Sequence, residues 1–247
     1  MGIFDGVLLC SDIDGTLTSD GKVSAENKKA IEFFKSEGGL FTVSTGRYPG
    51  HFKEMYNIDV NTLVISVNGT VISDVCGNNI IYNQKLNLGL INRIYDFVFP
   101  RYSLENFWAA DINRLDLPYG MRADYESNKL MFVPYEEKEA QRLASELQAE
   151  FSGDVYISRS WATGVEVIPK DSGKGVCVQK LKDITGSKFL VCAGDYENDL
   201  TMLKSADVGF AVANAIDSVK AVADRQTFAD SQTAIAEIIE TIRNEYI

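Results

Sequence analysis

Short apolar runs of strand length alternate with segments whose apolar positions recur every three or four residues, and this rhythm occupies both ends of the chain. Such alternation predicts a parallel sheet with crossover helices. The first strand is Val7-Leu8-Leu9-Cys10. A helix follows from about Ser24, a residue suited to an N-cap, to Glu37, where Gly38-Gly39 stops it. Leu40 to Ser44 reads as the second strand, Pro49 suits the first turn of a helix, and Leu63 to Ser66 reads as a third strand. The segments around Val71 and Ile80, separated by Gly77-Asn78-Asn79, predict a β-hairpin.

From about Leu86 to Pro169 the rhythm changes. A helix around Leu90 to Phe99, an aromatic strand at Asn106 to Ala109 and a strand from Lys129 to Val133 come first. A helix from Glu136 to Glu150, with Ala140, Leu143, Ala144 and Leu147 at core spacing, and a strand pair around Val155 to Ile168 follow. Strands and helices without strict alternation predict a separate α+β unit. After Lys174 the first rhythm returns: a helix through Leu181, the strand Phe189 to Ala193, a short helix at Asp199 to Lys204 and the strand Val208 to Val212. The last helix places Ile235, Ile238, Ile239 and Ile242 on one core-facing stripe. The expected architecture is α/β: a parallel-sheet core from residues 1–84 and 170–247, interrupted by an inserted α+β unit at 85–169.

The 247 residues, 45% of them hydrophobic, suffice for a substantial core. A formal charge of −11 disfavours a nucleic-acid partner, because such affinity comes largely from basic side chains on phosphates. No apolar run approaches a bilayer span and no leader pattern opens the chain, so a soluble cytoplasmic protein is expected. Cys10, Cys76, Cys177 and Cys192 lack CxxC spacing and read as reduced thiols. The single histidine, His51, reads as a surface residue, which leaves nothing for a histidine-based metal site or triad.

Chemistry concentrates at strand ends. Asp12-Ile13-Asp14-Gly15-Thr16-Leu17-Thr18 sets two carboxylates one residue apart where the first strand becomes a loop, the edge at which open α/β sheets bind ligands. Carboxylates this close need a cation or a proton between them. Thr45-Gly46-Arg47 follows the second strand and offers a hydroxyl and backbone N–H groups to a phosphate. Lys174, between Gly173 and Gly175, offers that anion a fixed cation. Gly194-Asp195-Tyr196-Glu197-Asn198-Asp199 adds further carboxylates. Together these segments make a metal-plus-phosphate site.

The four motifs DIDGT, STGR, the lysine of GKG and GDYENDLTML, in that order, resemble those of the haloacid dehalogenase superfamily, specifically its Cof-like phosphatases with a large α/β cap between the second and third motifs. Asn68-Gly69 and the segment from Ala211 to Ala215 strengthen the likeness, whereas Asp171 and Val212-Ala213 depart from the family's usual residues. The resemblance implies a Rossmann-like core whose cap is the inserted unit. It further implies magnesium-dependent hydrolysis of small phosphorylated metabolites such as sugar phosphates. Asp12 would form an aspartyl-phosphate and Asp14 would act as acid and then base. Magnesium would be held by Asp12, the backbone carbonyl of Asp14 and Asp195, with Asp199 as a ligand or just behind. Thr45 and Lys174 would stabilise the transferring oxygens, and Asn198 would position the lysine or the phosphate. Gly46 belongs to the phosphate loop, and Arg47 is left between a substrate contact and a pairing with a core carboxylate. Trp108, Arg114, Tyr119, Arg122 and Trp161 are candidate cap contacts. A phosphomutase and a non-catalytic phosphosugar-binding protein are the competing readings, and monomer and homodimer are equally open.

Overall fold

Alternate side chains of one buried strand pack on opposite faces of a sheet, and β1 (Val7–Ser11) does this throughout its length. In the computed structural model, which describes residues 2–49, 58–113 and 120–247, Val7 and Leu9 join one apolar cluster while Leu8 and Cys10 join another. Both faces are therefore covered, the condition under which parallel strands read as continuous apolar runs.

On the first face lie α1 (Ala25–Ser36), through Ile31 and Phe34, and the final helix, whose isoleucine stripe packs as its spacing predicts. Ser24 does cap α1, accepting from Asn27 N at 3.1 Å. The opposite face is covered by two helices that follow the inserted unit, Lys174–Thr185 and Leu200–Ser205, through Cys177, Val178, Leu181, Met202 and Leu203. β1 lies between β2 (Leu40–Val43) and the strand Phe189–Gly194, both parallel to it. Val208–Ala211 and the two-residue strand Arg225–Gln226 complete this five-stranded sheet.

Beyond β2 the chain forms a small antiparallel sheet of β3 (Val64–Ser66), β4 (Val71–Ser73) and β5 (Ile80–Asn83), joined to the main sheet by the Ser44–Ile65 bridge. Asp74 closes the predicted hairpin by accepting from the amides of Cys76, Asn78 and Asn79.

The segment after β5 builds a second layered unit. α2 (Leu88–Val98) is capped by Asn87. β6 (Leu104–Ala110), β7 (Lys129–Pro134), α3 (Glu137–Phe151), β8 (Val155–Trp161) and β9 (Gly164–Pro169) follow. The four strands run antiparallel in the order β6-β7-β9-β8, and α2 and α3 pack on one face around Tyr95, Phe132, Leu143 and Val167. The elements resuming the main sheet are α4 (Lys174–Thr185), β10 (Phe189–Gly194), α5 (Leu200–Ser205), β11 (Val208–Ala211), α6 (Asp217–Lys220), β12 (Arg225–Gln226) and α7 (Ala234–Glu245).

Among the described residues no helix is long and apolar enough to cross a membrane. All four cysteines are free: Cys10, Cys177 and Cys192 are buried and Cys76 is exposed. Residues 50–57, into which the helix expected from Pro49 would run and which include His51, lie outside the described residues, as do Arg114 and Tyr119.

Candidate active site

The loops after β1, β2 and β10 and the start of α4 meet at the C-terminal edge of the parallel sheet. Asp12 continues the ladder by one residue, its amide donating to Ala193 O at 2.9 Å. The chain then turns tightly: Ile13 O accepts from the amides of Leu17 and Thr18 at 3.0 and 2.9 Å. Gly15 makes the turn at φ +88°, and a Cβ there would stand 2.5 Å from Asp195 Oδ2. The motif therefore lets the Asp195 carboxylate lie against the loop after β1 partly by omitting a side chain there.

Lys174, 1% exposed, sits at the centre. Its Nζ donates to Asp12 Oδ1 and to Asp199 Oδ1, each at 2.6 Å. The other Asp199 oxygen accepts from the amides of Asp195 and Tyr196 at 3.0 and 3.2 Å, so Asp199 ties the lysine to the loop after β10. Thr16 Oγ1 donates to Asp195 Oδ1 at 2.7 Å. Asp14 faces Arg47 in a two-pronged ion pair, with Nε–Oδ2 and Nη2–Oδ1 both 2.9 Å. The pairing left open for Arg47 is thus made, and with Asp14.

Charge crowding sets the protonation of this cluster. Burial drives the Asp12 carboxyl well above the usual carboxylate range; the charge of Lys174 opposes this, while Asp199 and Asp195 add to it. Burial and the Asp199 charge push Asp195 up to about 7. Burial alone would lower Lys174, but the two carboxylates hold it above the usual lysine value. Asp12, Asp195 and Asp199 each place a carboxylate oxygen within 4.8 Å of the others. Three clustered hard oxygens, two of them, on Asp12 and Asp195, kept from ionising freely by burial and by the charge of Asp199, form a donor set that fits a small divalent cation.

A cavity of about 620 Å³ opens over the cluster. Its floor includes Asp12, Asp14, Gly46, Arg47, Asp195 and Asn198, so six of the nine residues singled out in the sequence share one wall. Thr45, Lys174 and Asp199 lie behind that wall, each at most 1% exposed. Asn198 Nδ2 donates to Asn68 Oδ1 at 3.2 Å and makes no described contact with Lys174.

The roof comes from the inserted unit. Of the candidate cap contacts, Trp108 and Trp161 line the cavity, whereas Arg122 turns away, pairing with Asp96 at 2.9 Å over the ring of Tyr95. Sequence reading passed over Lys129 and Glu166, which pair at 2.7 Å and also line the cavity. Lys129 reaches down to Gly46 O at 3.1 Å, and the side-chain amide of Asn68 donates to Glu166. The available signal was a charged residue in each of two strands that otherwise read as core, the first residue of KLMFVP and the third of GVEVIP.

Comparison with known proteins identifies the family of the chain. The family model described as haloacid dehalogenase-like hydrolase matches residues 9–115 and 113–239. The chain is 26% identical over 268 residues to the 5-amino-6-(5-phospho-D-ribitylamino)uracil phosphatase YitU of Bacillus subtilis, covering 94% of this chain and 96% of that one. It is 28% identical over 242 residues to phosphoglycolate phosphatase 2 of Saccharolobus solfataricus, covering 96% and 92%. A solved haloacid dehalogenase-like hydrolase from B. subtilis superposes with a TM-score of 0.76 at 20% identity, covering 97% of this chain and 99% of the other.

Proposed function

This chain belongs to the haloacid dehalogenase-like hydrolases and hydrolyses phosphate monoesters, and from that premise we propose that it acts on small sugar-phosphate-like metabolites through an aspartyl-phosphate on Asp12, with magnesium. The observation that carries the reading is the pairing of Lys174 with Asp12 and Asp199 beneath a cavity whose floor also holds Asp14 and Asp195.

Lys174 leaves one Asp12 oxygen for the phosphorus, and it fixes the carboxylate's orientation from below. The Asp12 oxygen bonds to phosphorus as the bond to the leaving oxygen breaks, and Asp14 gives that oxygen its proton. Asp14 then takes a proton from water, whose oxygen attacks phosphorus and releases Asp12 and inorganic phosphate. To carry the proton Asp14 must part from Arg47, and an incoming phosphate gives Arg47 an alternative partner. Thr45, Gly46 and Asn198 serve the phosphate oxygens. Asp12, the Asp14 carbonyl and Asp195 would hold magnesium, with Asp199 beside them. The bound ion would offset the repulsion between a carboxylate and a phosphate dianion.

Residues 1–84 and 170–247 form the catalytic core in this reading, and 85–169 the cap that selects the leaving group. The relatives' names, one for a ring-bearing phosphoribityl compound and one for a phospho-acid, give the core a common chemistry and leave selection to the cap. Four free cysteines suit a reducing cytoplasm.

Phosphate release from a panel of phosphometabolites, with and without magnesium, tests the proposal. We expect metal-dependent release that disappears in Asp12→Asn while the thermal melt is retained. Release that persists in that variant would remove Asp12 from its role.

A further inference from the structure

The antiparallel sheet of the inserted unit has two unlike faces. Phe107, Leu130, Phe132, Val165 and Val167 point toward α2 and α3. The residues that alternate with them, Trp108, Lys129, Met131 and Glu166, line the cavity above Asp12. The register sets Trp108 opposite Met131 and Met131 opposite Glu166, so three strands contribute one continuous row. A sheet face turned only to water would be polar along its length. This one instead carries an indole at one end and a buried ion pair near the other.

The second indole completes an aromatic surface. Trp161, at the end of β8, folds over Gly164, where a Cβ would stand 2.4 Å from the ring. It lies nearly parallel to Trp108, with centroids 6.4 Å apart and planes 15° apart. The chain has two tryptophans, and both are here.

The polar part of the roof is neutral overall. Glu166 and Lys129, 1% and 6% exposed, are paired, and Lys129 is held further by Gly46 O and Glu166 by Asn68. Among the described wall residues the other cation, Arg47, is engaged with Asp14. Among the described residues, an anionic substituent on the leaving group would therefore face a carboxylate whose cation is already paired with it, whereas an O–H or N–H would find an acceptor.

We propose that this roof is a leaving-group subsite for uncharged alcohols bearing a ring with an apolar face and an edge of hydrogen-bond donors. The ring lies against the Trp108–Trp161 surface and its edge donates to Glu166. The inference rests on the phosphatase reading only for where the phosphate sits. Either a sugar ring, through its C–H face, or a planar heterocycle supplies this chemistry.

Because both tryptophans line the cavity, their emission reports occupancy without turnover. In Asp12→Asn with magnesium, glucose phosphate and uridine monophosphate are titrated against glycerol phosphate and phosphoglycolate, with inorganic phosphate as reference. We expect one or both ring-bearing esters to change the emission and to bind about tenfold more tightly than the two acyclic esters, a preference of the size that aromatic contacts provide. Which of the two binds tighter identifies the source of the ring. Trp108→Leu should cost the preferred ester about tenfold more than it costs glycerol phosphate, and Trp108→Phe should recover most of that loss. Trp161→Leu, at a position 39% exposed, gives a second variant with little risk to folding. Equal affinity for ring-bearing and acyclic esters, or tighter binding of phosphoglycolate, would overturn the subsite. Wild-type phosphate release is assayed in parallel: selective binding with no release leaves the subsite standing and removes the phosphatase reading, and unselective release does the reverse.

Discussion

At Gly15 the backbone turns with φ +88° beneath the Asp195 carboxylate. Gly15→Ala meets both constraints at once: a left-handed alanine costs about 1–2 kcal/mol, and its Cβ displaces a proposed metal ligand. We expect a modest fall in Tm and a much larger loss of kcat, partly restored by raising magnesium. Unchanged magnesium dependence would show that the Gly15–Asp195 contact does not set the ion's site. Asp195 also predicts a pH effect on the metal-free protein. Burial and Asp199 raise its folded pKa to about 7, above the 3.8 of an ordinary aspartate. The folded state therefore holds a proton that the unfolded state has released, and stability is lost as pH rises between those values. In the presence of a chelator the Tm of the parent should fall relative to that of Asp195→Asn over this window, and magnesium should close the gap. Parallel Tm curves for the two proteins in the chelator would contradict it.

Between elements, β8 grips the loop after β10. Arg159 donates through Nε and Nη2 to the two Glu197 oxygens at 3.0 and 2.5 Å, and through Nη1 to Glu137 at 3.1 Å. The hydrogen bonds to Glu197 and Glu137 hold the Arg159 guanidinium above its usual value despite burial. Glu197 lies two residues beyond Asp195, so the bridge couples the cap sheet to the proposed metal loop. A cycle of Arg159→Met, Glu197→Gln and the double variant should give a coupling of about 1–3 kcal/mol in kcat/KM, with KM rising in each single variant. Additive effects would mean that the bridge does not couple the β8 strand to the loop that carries Asp195. Arg159 escaped the sequence reading because nothing in YISRSW marks which strand residue meets a partner 38 positions away. Elements whose identity depends on local pattern were legible: β1, β2, β10 and β11 are apolar runs, and the DIDGT and GDYEND loops follow directly from two of them. Those fixed by distant pairing were not. Arg225–Gln226 is a strand only because it lies beside Phe210 and Ala211. The turn from β3 into β4 places Val67 and Asn68 at φ 49° and 53°, and only the Asn-Gly pair hinted at it. That turn sets Asn68 between Asn198 and Glu166, a placement no spacing rule supplies.

Over the described residues, the apolar side chains gather into clusters: two flank the parallel sheet, one lies beneath the sheet of the inserted unit, centred on Tyr95, Phe132 and Leu143, and a small fourth sits where the two units meet. What joins the inserted unit to the core is a small apolar cluster, Ala110 with Val67 and Val71, together with polar contacts: Lys129 to Gly46, Glu166 to Asn68 and Arg159 to Glu197. Polar contacts of this kind hold relative motion less tightly than a shared apolar core would. The cap should therefore open and unfold as a unit of its own. Leu143→Ala, at a fully buried position of α3, should cost about 2–5 kcal/mol, and the cost should fall on the cap alone. Native-state hydrogen exchange reads this directly. Amides of β7 and β9 should exchange faster in the variant while those of β1 and β10 keep the parent's rates, and a phosphate analogue with magnesium should slow β7 and β9 again. Uniform acceleration across both sheets would mean that the two sheets unfold as one, and closure over the substrate would then have to come from loops instead of from motion of the whole cap.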